Sequence, residues 1–519
     1  MKTVRFTVAL CAAVMLAASA MALEVEVSGH YFIEHFNNSN YTLNNNDATD
    51  DYSSMELMVK PVFKITDNIT LTTQFTALQD HVWGTDANPR FGTSPLPPIS
   101  GGEPFVDSSN NIDWKAAYLT IKTPIGGFIA GRYIDTPWGT TFGDTTASHG
   151  SNDFHKDRIM WVAPVKDFIV GAVHQVNQEG DKGNVVSDQD FTKSYVFGAY
   201  RQPNWSAGLL MANYTHKDYL SSKNLNRTIN QAAQAQVYGG LAQQAAAAGN
   251  AAAAAQLGAL AQAAAVNSEA AWNTRGDLTL WVLDPYVMGT FGKFGVKGEM
   301  LYGWGDIDQN GFGTDDLDAD GLGYVLDLSY DFGPVSLMAG TTYIQGDWDL
   351  TDDTASPLGY FERSNDHERG FLLTSDVSGL QTSLGGRVDT AVNLNGTLGM
   401  PMGNLAGGPG TVTGQAGAQM FYFDIGWQAL ENLKLGILFV TSKADDVPKG
   451  NNPLTGAVAK WDDDHGTEYD FTIEWNIMDN LTFKGVVAHL DAGDYWKQGD
   501  PNKEITDNTT FYGKLIVEF

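Results

Sequence analysis

The chain holds a single cysteine, Cys11, in 519 residues. Cys11 lies inside an apolar leader, so the mature protein is expected to have no disulfide and no thiol chemistry. Bases are scarce: 31 Lys and Arg face 61 Asp and Glu, a formal net charge of −30. That balance argues against nucleic acid or anionic lipid as a partner and for loops that attract cations. Past the leader, no apolar run approaches the roughly 20 residues that a spanning helix needs. Catalytic signatures are missing too. There is no Gly-x-Ser-x-Gly, no His-Glu-x-x-His and no phosphate-cradling glycine loop. The ten His are scattered, and His30, His174 and His489 fall in strand-like segments without a diagnostic partner. The chain therefore reads as a non-enzyme with no cofactor.

The leader has the form of a secretory signal. Lys2 and Arg5 precede the apolar stretch Phe6–Ala18, and Ala20-Met21-Ala22 supplies a small-x-small cleavage site. Residues 1–22 are expected to be removed, leaving 23–519 as one folded unit.

In that unit, period-two alternation recurs from end to end. Phe471, Ile473 and Trp475 alternate with Asp470, Thr472 and Glu474. Leu326, Leu328 and Tyr330 alternate with Asp327, Ser329 and Asp331; Phe421, Phe423 and Trp427 alternate with Tyr422, Asp424 and Gln428. A soluble β-sandwich alternates as well. Here, however, the segments run about 10 residues, the length a tilted membrane strand needs. Short turns such as Thr66-Asp67-Asn68, Phe332-Gly333-Pro334 and Met478-Asp479-Asn480 also alternate with long connections. A spanning sheet must close so that no backbone group is left unpaired in lipid. The expected fold is all-β: a transmembrane antiparallel β-barrel of about 18 strands, or 16 if one hairpin is loop, apolar outside and wet inside. The long connections, 346–417 among them, are expected to face outward.

The chain ends on Phe511-Tyr512-Gly513-Lys514-Leu515-Ile516-Val517-Glu518-Phe519. A two-faced strand stopping on an aromatic looks like a Gram-negative outer-membrane barrel. Ala130-Gly131-Arg132-Tyr133-Ile134-Asp135, Thr141-Phe142-Gly143-Asp144 and Asp153-Phe154-His155-Lys156-Asp157-Arg158 sharpen this. Over roughly residues 50–165 the chain resembles the trimeric general porins of Gram-negative bacteria, and in overall look the deltaproteobacterial ones most. The resemblance implies an outer-membrane homotrimer, in contact with lipid, that passes small hydrophilic solutes and ions. It also implies that 135–156 is a loop folded inward to narrow the pore. Carried over by position, Lys60, Arg132 and Arg158 are the basic wall, and Asp135, Asp144 and Asp153 the loop acids. Thr141 stands where the family often places Glu before Phe-Gly, which weakens or displaces the acidic side. The plainer alternative is that all these charges are solvated lumen residues. A substrate-specific channel for a sugar or carboxylate is the first competing function. A barrel adhesin or receptor acting through its long loops is the second.

Two segments stand apart. Residues 229–272 are nearly all Ala, Gln and Gly, with a natural break at Gly249-Asn250. They predict a helical hairpin inserted in one extracellular loop, either a surface or trimer-packing element or a plug; a flexible spacer is the third reading. Asp306, Asp308 and Asn310, followed by Asp316, Asp318, Asp320 and Asp327, twice set oxygen ligands at alternate residues. Ca2+ loops use that spacing, though acid-rich loops are more often simply hydrated.

Overall fold

The computed structural model describes residues 24–40, 43, 49–83, 112–133, 138–140, 156–178, 190–219, 222–273, 276–309, 316–346, 354–355, 370–373, 417–447, 462–497, 501–502 and 504–519. In chain order the strands are β1 (Glu24–Ser39), β2 (Thr49–Thr66), β3 (Ile69–Val82), β4 (Asp113–Thr123), β5 (Gly126–Tyr133), β6 (Lys156–Val165), β7 (Phe168–Gln178), β8 (Phe191–Arg201) and β9 (Trp205–Tyr219). Helices α1 (Ser222–Ala247) and α2 (Ala251–Asn273) come next. Then follow β10 (Gly276–Phe291), β11 (Phe294–Gln309), β12 (Leu317–Asp331), β13 (Val335–Ile344), β14 (Thr354–Ala355), β15 (Ala418–Leu430), β16 (Leu433–Lys443), β17 (Asp464–Met478), β18 (Leu481–Ala492) and β19 (Asn508–Glu518).

All but the two-residue β14 form one closed wall of eighteen antiparallel strands, each bonded to its sequence neighbour. β1 closes the ring by pairing with both β2 and β19. The last residue takes part: Gly29 N–H donates to the Phe519 carbonyl at 2.8 Å, and Phe519 N–H to the Gly29 carbonyl at 3.0 Å. Closure leaves no sheet edge, which is what permits a β-structure to cross lipid.

The tight turns named above lie at one end of the wall together with Gly292-Lys293, where Gly292 has φ 67°. The strand ends that lead into the long connections lie at the other end. Alternation sorts the side chains as expected. Leu326, Leu328 and Tyr330 are 41–42 % exposed on the outer face, while Asp327 between them is 3 % exposed inside. Phe421, Phe423, Phe471, Trp475 and Phe511 are likewise exposed outside.

The break at Gly249 and Asn250 splits the alanine-rich segment as its sequence predicts. Gly249 adopts φ 77° and ends α1, and the Asn250 side chain caps α2 by accepting Ala253 N–H at 3.1 Å. The two helices pack side by side.

The interior departs from expectation. At the long-loop end it holds two packed apolar clusters instead of an open wet face. One gathers Leu278, Leu280, Val282, Leu301, Ile307 and Tyr214; the other gathers Val440, Ala488, Leu490, Met420 and Tyr422. The reason is that inner-facing positions turn apolar near the rim, where Trp138–Thr140 and Gly370–Leu373 pack against the inner wall.

Candidate functional site

The first inward segment is Trp138–Thr140, within the 135–156 connection. Trp138 meets Tyr286 edge-on at 4.9 Å and Phe197 at 5.6 Å, and its Nε1 donates to the Asp284 carbonyl at 3.4 Å. The Thr140 hydroxyl donates to Glu299 Oε2 at 2.8 Å, and its backbone N–H donates to the same oxygen. Gly139 has φ 57°, and a Cβ there would collide with the Glu299 carboxylate and Tyr286. Only glycine lets the backbone come this close. Asp284 and Glu299 are both buried inner-wall acids. The expected loop acids Asp135, Asp144 and Asp153 lie outside the described residues.

The bases sit on neighbouring strands. Arg158, Gln175, Lys193 and Tyr214 are successive register partners across β6, β7, β8 and β9, all on the inner face. The Arg158 guanidinium stands 4.9 Å from the Tyr133 ring centre. Lys193 Nζ lies 4.8 Å from the Tyr214 ring centre and 5.3 Å from that of Tyr195. Lys60 also takes the inner face, beside Ser28 and in line with Glu56.

Arg132 does not belong to this group. Its register partner is Asp157, with which it pairs at 3.6 Å, and both side chains are more than half exposed. They share the outer face with Ile159, which is 60 % exposed. Arg158 partners Gly131 instead. Cross-strand partners share a face, and one residue along a strand changes it. Arg132 and Arg158 therefore cannot both point inward, which corrects the carried-over wall.

The second inward segment, Gly370–Leu373, belongs to the connection expected to face out. Three consecutive backbone N–H groups grip two inner-wall acids. Phe371 N–H donates to Asp470 Oδ2 at 2.9 Å; Leu372 and Leu373 donate to the two oxygens of Glu468 at 2.6 and 2.9 Å. The Leu372 and Leu373 side chains are fully buried in the second apolar cluster. Near it, Glu34 accepts from Ser54 at 2.8 Å and Tyr512 at 3.0 Å, and pairs with Lys514 at 3.5 Å. Lys514 Nζ also stands 3.5 Å over the Phe32 ring. No motif in the sequence marks this segment; the apolar triplet Phe371-Leu372-Leu373 within a long connection is the one signal that could have.

Among the described residues, the second acidic run lies in a strand and not in a Ca2+ loop. Leu317–Asp331 is continuous strand, so Asp316 precedes it, Asp318 and Asp320 point outward, and Asp327 points inward, where it accepts from Tyr422 OH. Asp306 faces Asp318 across the ladder, and Asp308 faces Asp277. Asn310 lies outside the described residues.

No protein-family model and no curated protein matches the chain. Solved structures do. A BenF-like porin from Pseudomonas fluorescens aligns over 96 % of this chain and 99 % of its own, at 9 % identity and a TM-score of 0.48. OccK3 (OpdO) of Pseudomonas aeruginosa aligns over 95 % and 96 %, at 9 % identity and 0.44. The trimer form of OmpT, an outer membrane protein of Vibrio cholerae, aligns over 96 % and 99 %, at 9 % identity and 0.39.

Proposed function

We propose that this protein is a porin of a Gram-negative outer membrane, exported behind a cleaved leader and assembled as a homotrimer. Small hydrophilic solutes and ions cross its barrel by passive diffusion. The apolar outer face meets lipid, the tight turns face the periplasm and the long connections face outward. The reading rests chiefly on charge of both signs along the inner face of a closed wall. Arg158 and Lys193 stand on β6 and β8, while Asp284 and Glu299 stand on β10 and β11 beside the inward Trp138–Thr140 segment. A field across a narrowed bore orders water and favours polar over apolar solutes. Lys60 and Arg158 are the proposed basic side, and Asp135, Asp144 and Asp153 are proposed to join Glu299 on the other.

Planar-bilayer recording tests this. Purified protein should give discrete conductance steps, and Arg158→Ala should shift the reversal potential in a salt gradient toward cation preference. A protein that leaves the bilayer silent is not a channel, and the adhesin or receptor reading then takes over.

A substrate-specific channel is the second reading. Inner-face aromatics favour it: Tyr118 and Tyr133 lie 5.1 Å apart, with Tyr195, Tyr214, Phe197, Trp138 and Tyr286 beyond them. Current that saturates with one solute class would select it.

A further inference from the structure

We propose that His489, Asp491 and Asp507 bind a divalent transition-metal cation, Zn2+ in the first instance, on the outer face of the long-loop rim. Each offers one ligand atom, and these atoms all lie within 4.8 Å of one another. The strand period produces half of the site: His489 and Asp491 are two apart on β18, so both point outward. The register produces the rest. β18 pairs with β19, Leu490 faces Asn508, and Asp507 directly precedes that residue.

The donors are also held from behind. His489 Nδ1 is 2.8 Å from the Thr509 hydroxyl, which aims Nε2 at Asp491 Oδ1, 3.1 Å away. One Asp507 oxygen accepts the Ala492 N–H at 3.2 Å, and its carbonyl accepts the Asn40 side-chain amide at 3.1 Å. Outer partners of this kind fix ring orientation and carboxylate position in metal sites. The donor set selects the class of ion. One imidazole with two carboxylates suits Zn2+, Co2+ or Ni2+, whereas Ca2+ takes six or more oxygens. Three protein ligands leave a position for water, as in open zinc sites. The cation would neutralise paired carboxylates and tie the end of β18 to the start of β19. The site points away from the interior, so it does not depend on the channel reading.

The test uses the full chain folded in detergent and stripped with a chelator, with heat-dependent gel mobility confirming the barrel. Titration calorimetry with ZnCl2 should show one site per chain. His489→Gln and Asp491→Asn should each weaken it at least roughly tenfold, and Thr509→Val by roughly tenfold through loss of the orienting contact. His35→Gln, which alters another His–Asp pair, at 3.7 Å, should leave it unchanged. A second measurement needs no variant: Zn2+ should protect His489 of the native chain from diethyl pyrocarbonate, read by mass spectrometry. No saturable Zn2+ binding, binding that survives the His489→Gln, Asp491→Asn double change, Ca2+ bound as tightly as Zn2+, or unprotected His489 would each overturn the proposal.

Discussion

Two segments of the same chain fold into the same barrel and are held there by different means. Trp138–Thr140 is an aromatic wedge anchored on the Glu299 carboxylate and on the Asp284 carbonyl. Gly370–Leu373 is a mixed apolar wedge, Phe371, Leu372 and Leu373, with three backbone donors on two acids. A backbone N–H taken from water needs a partner wherever it stops, and successive N–H groups pointing one way make a natural seat for a carboxylate. The first segment thus relies on ring packing with the Glu299 carboxylate as its chief seat, and the second adds three main-chain donors to its apolar packing. Disabling each seat separately should tell the two apart.

The largest effect is expected at Glu468. Glu468→Ala leaves the Leu372 and Leu373 N–H groups without their acceptors in a buried place, a loss of roughly 2–4 kcal/mol in local stability. Hydrogen exchange at those two amides should speed up by about two orders of magnitude, and single-channel current should rise as the segment leaves. Unchanged exchange at both amides would mean that the apolar contacts alone hold it.

Acid should loosen the rim around His465 and spare the Trp138–Thr140 segment. His465 is fully buried against Tyr495 and Trp496, in the part of the rim that joins the second cluster. Its Nδ1 contacts Ser442 at 3.0 Å, and burial pushes its pKa down from 6.5 to about 3. A depressed folded-state pKa means that the neutral ring stabilises the rim fully above pH 6.5. That stability falls as pH drops from 6.5 toward 3, by roughly 1.4 kcal/mol per unit at most. Exchange around His465 and Trp496 should accelerate in this window while Thr140 stays protected, and His465→Gln should abolish the acceleration.

On the first segment, Gly139→Ala is the corresponding change. The left-handed backbone at Gly139 and the adjacent Glu299 carboxylate both oppose a Cβ, so the loss should be about 1–3 kcal/mol. The Thr140 amide should lose protection, and Leu372 should not.

The barrel was legible because its physics is periodic. An alternation such as Leu326-Asp327-Leu328-Ser329-Tyr330 determines strand, face and environment together, and turn residues such as Gly292 mark each reversal. The site was legible only in part. Lys60 and Arg158 took the inner face, but parity along one strand cannot tell which neighbour residue 132 will meet. The register across β5 and β6 decides that, and register is set by the whole wall. Asp316 to Asp327 misled for a related reason: ligand spacing in a loop and charge spacing in a strand look alike until the ladder is known. Phe371-Leu372-Leu373 gave no period to read, and its partners Glu468 and Asp470 lie nearly a hundred residues on.

The smallest expected effect comes from Arg132, and its smallness is the point. Arg132 and Asp157 form an exposed outer pair, a type worth roughly 0–1 kcal/mol. Arg158 sits inside, 4 % exposed, against Tyr133. Arg132→Ala should therefore leave conductance and reversal potential unchanged, whereas Arg158→Ala shifts the reversal potential. Equal shifts from both would put the two guanidinium groups in one field, and the register of β5 against β6 could not stand, because cross-strand partners of Gly131 and of Arg132 face opposite sides of a single wall.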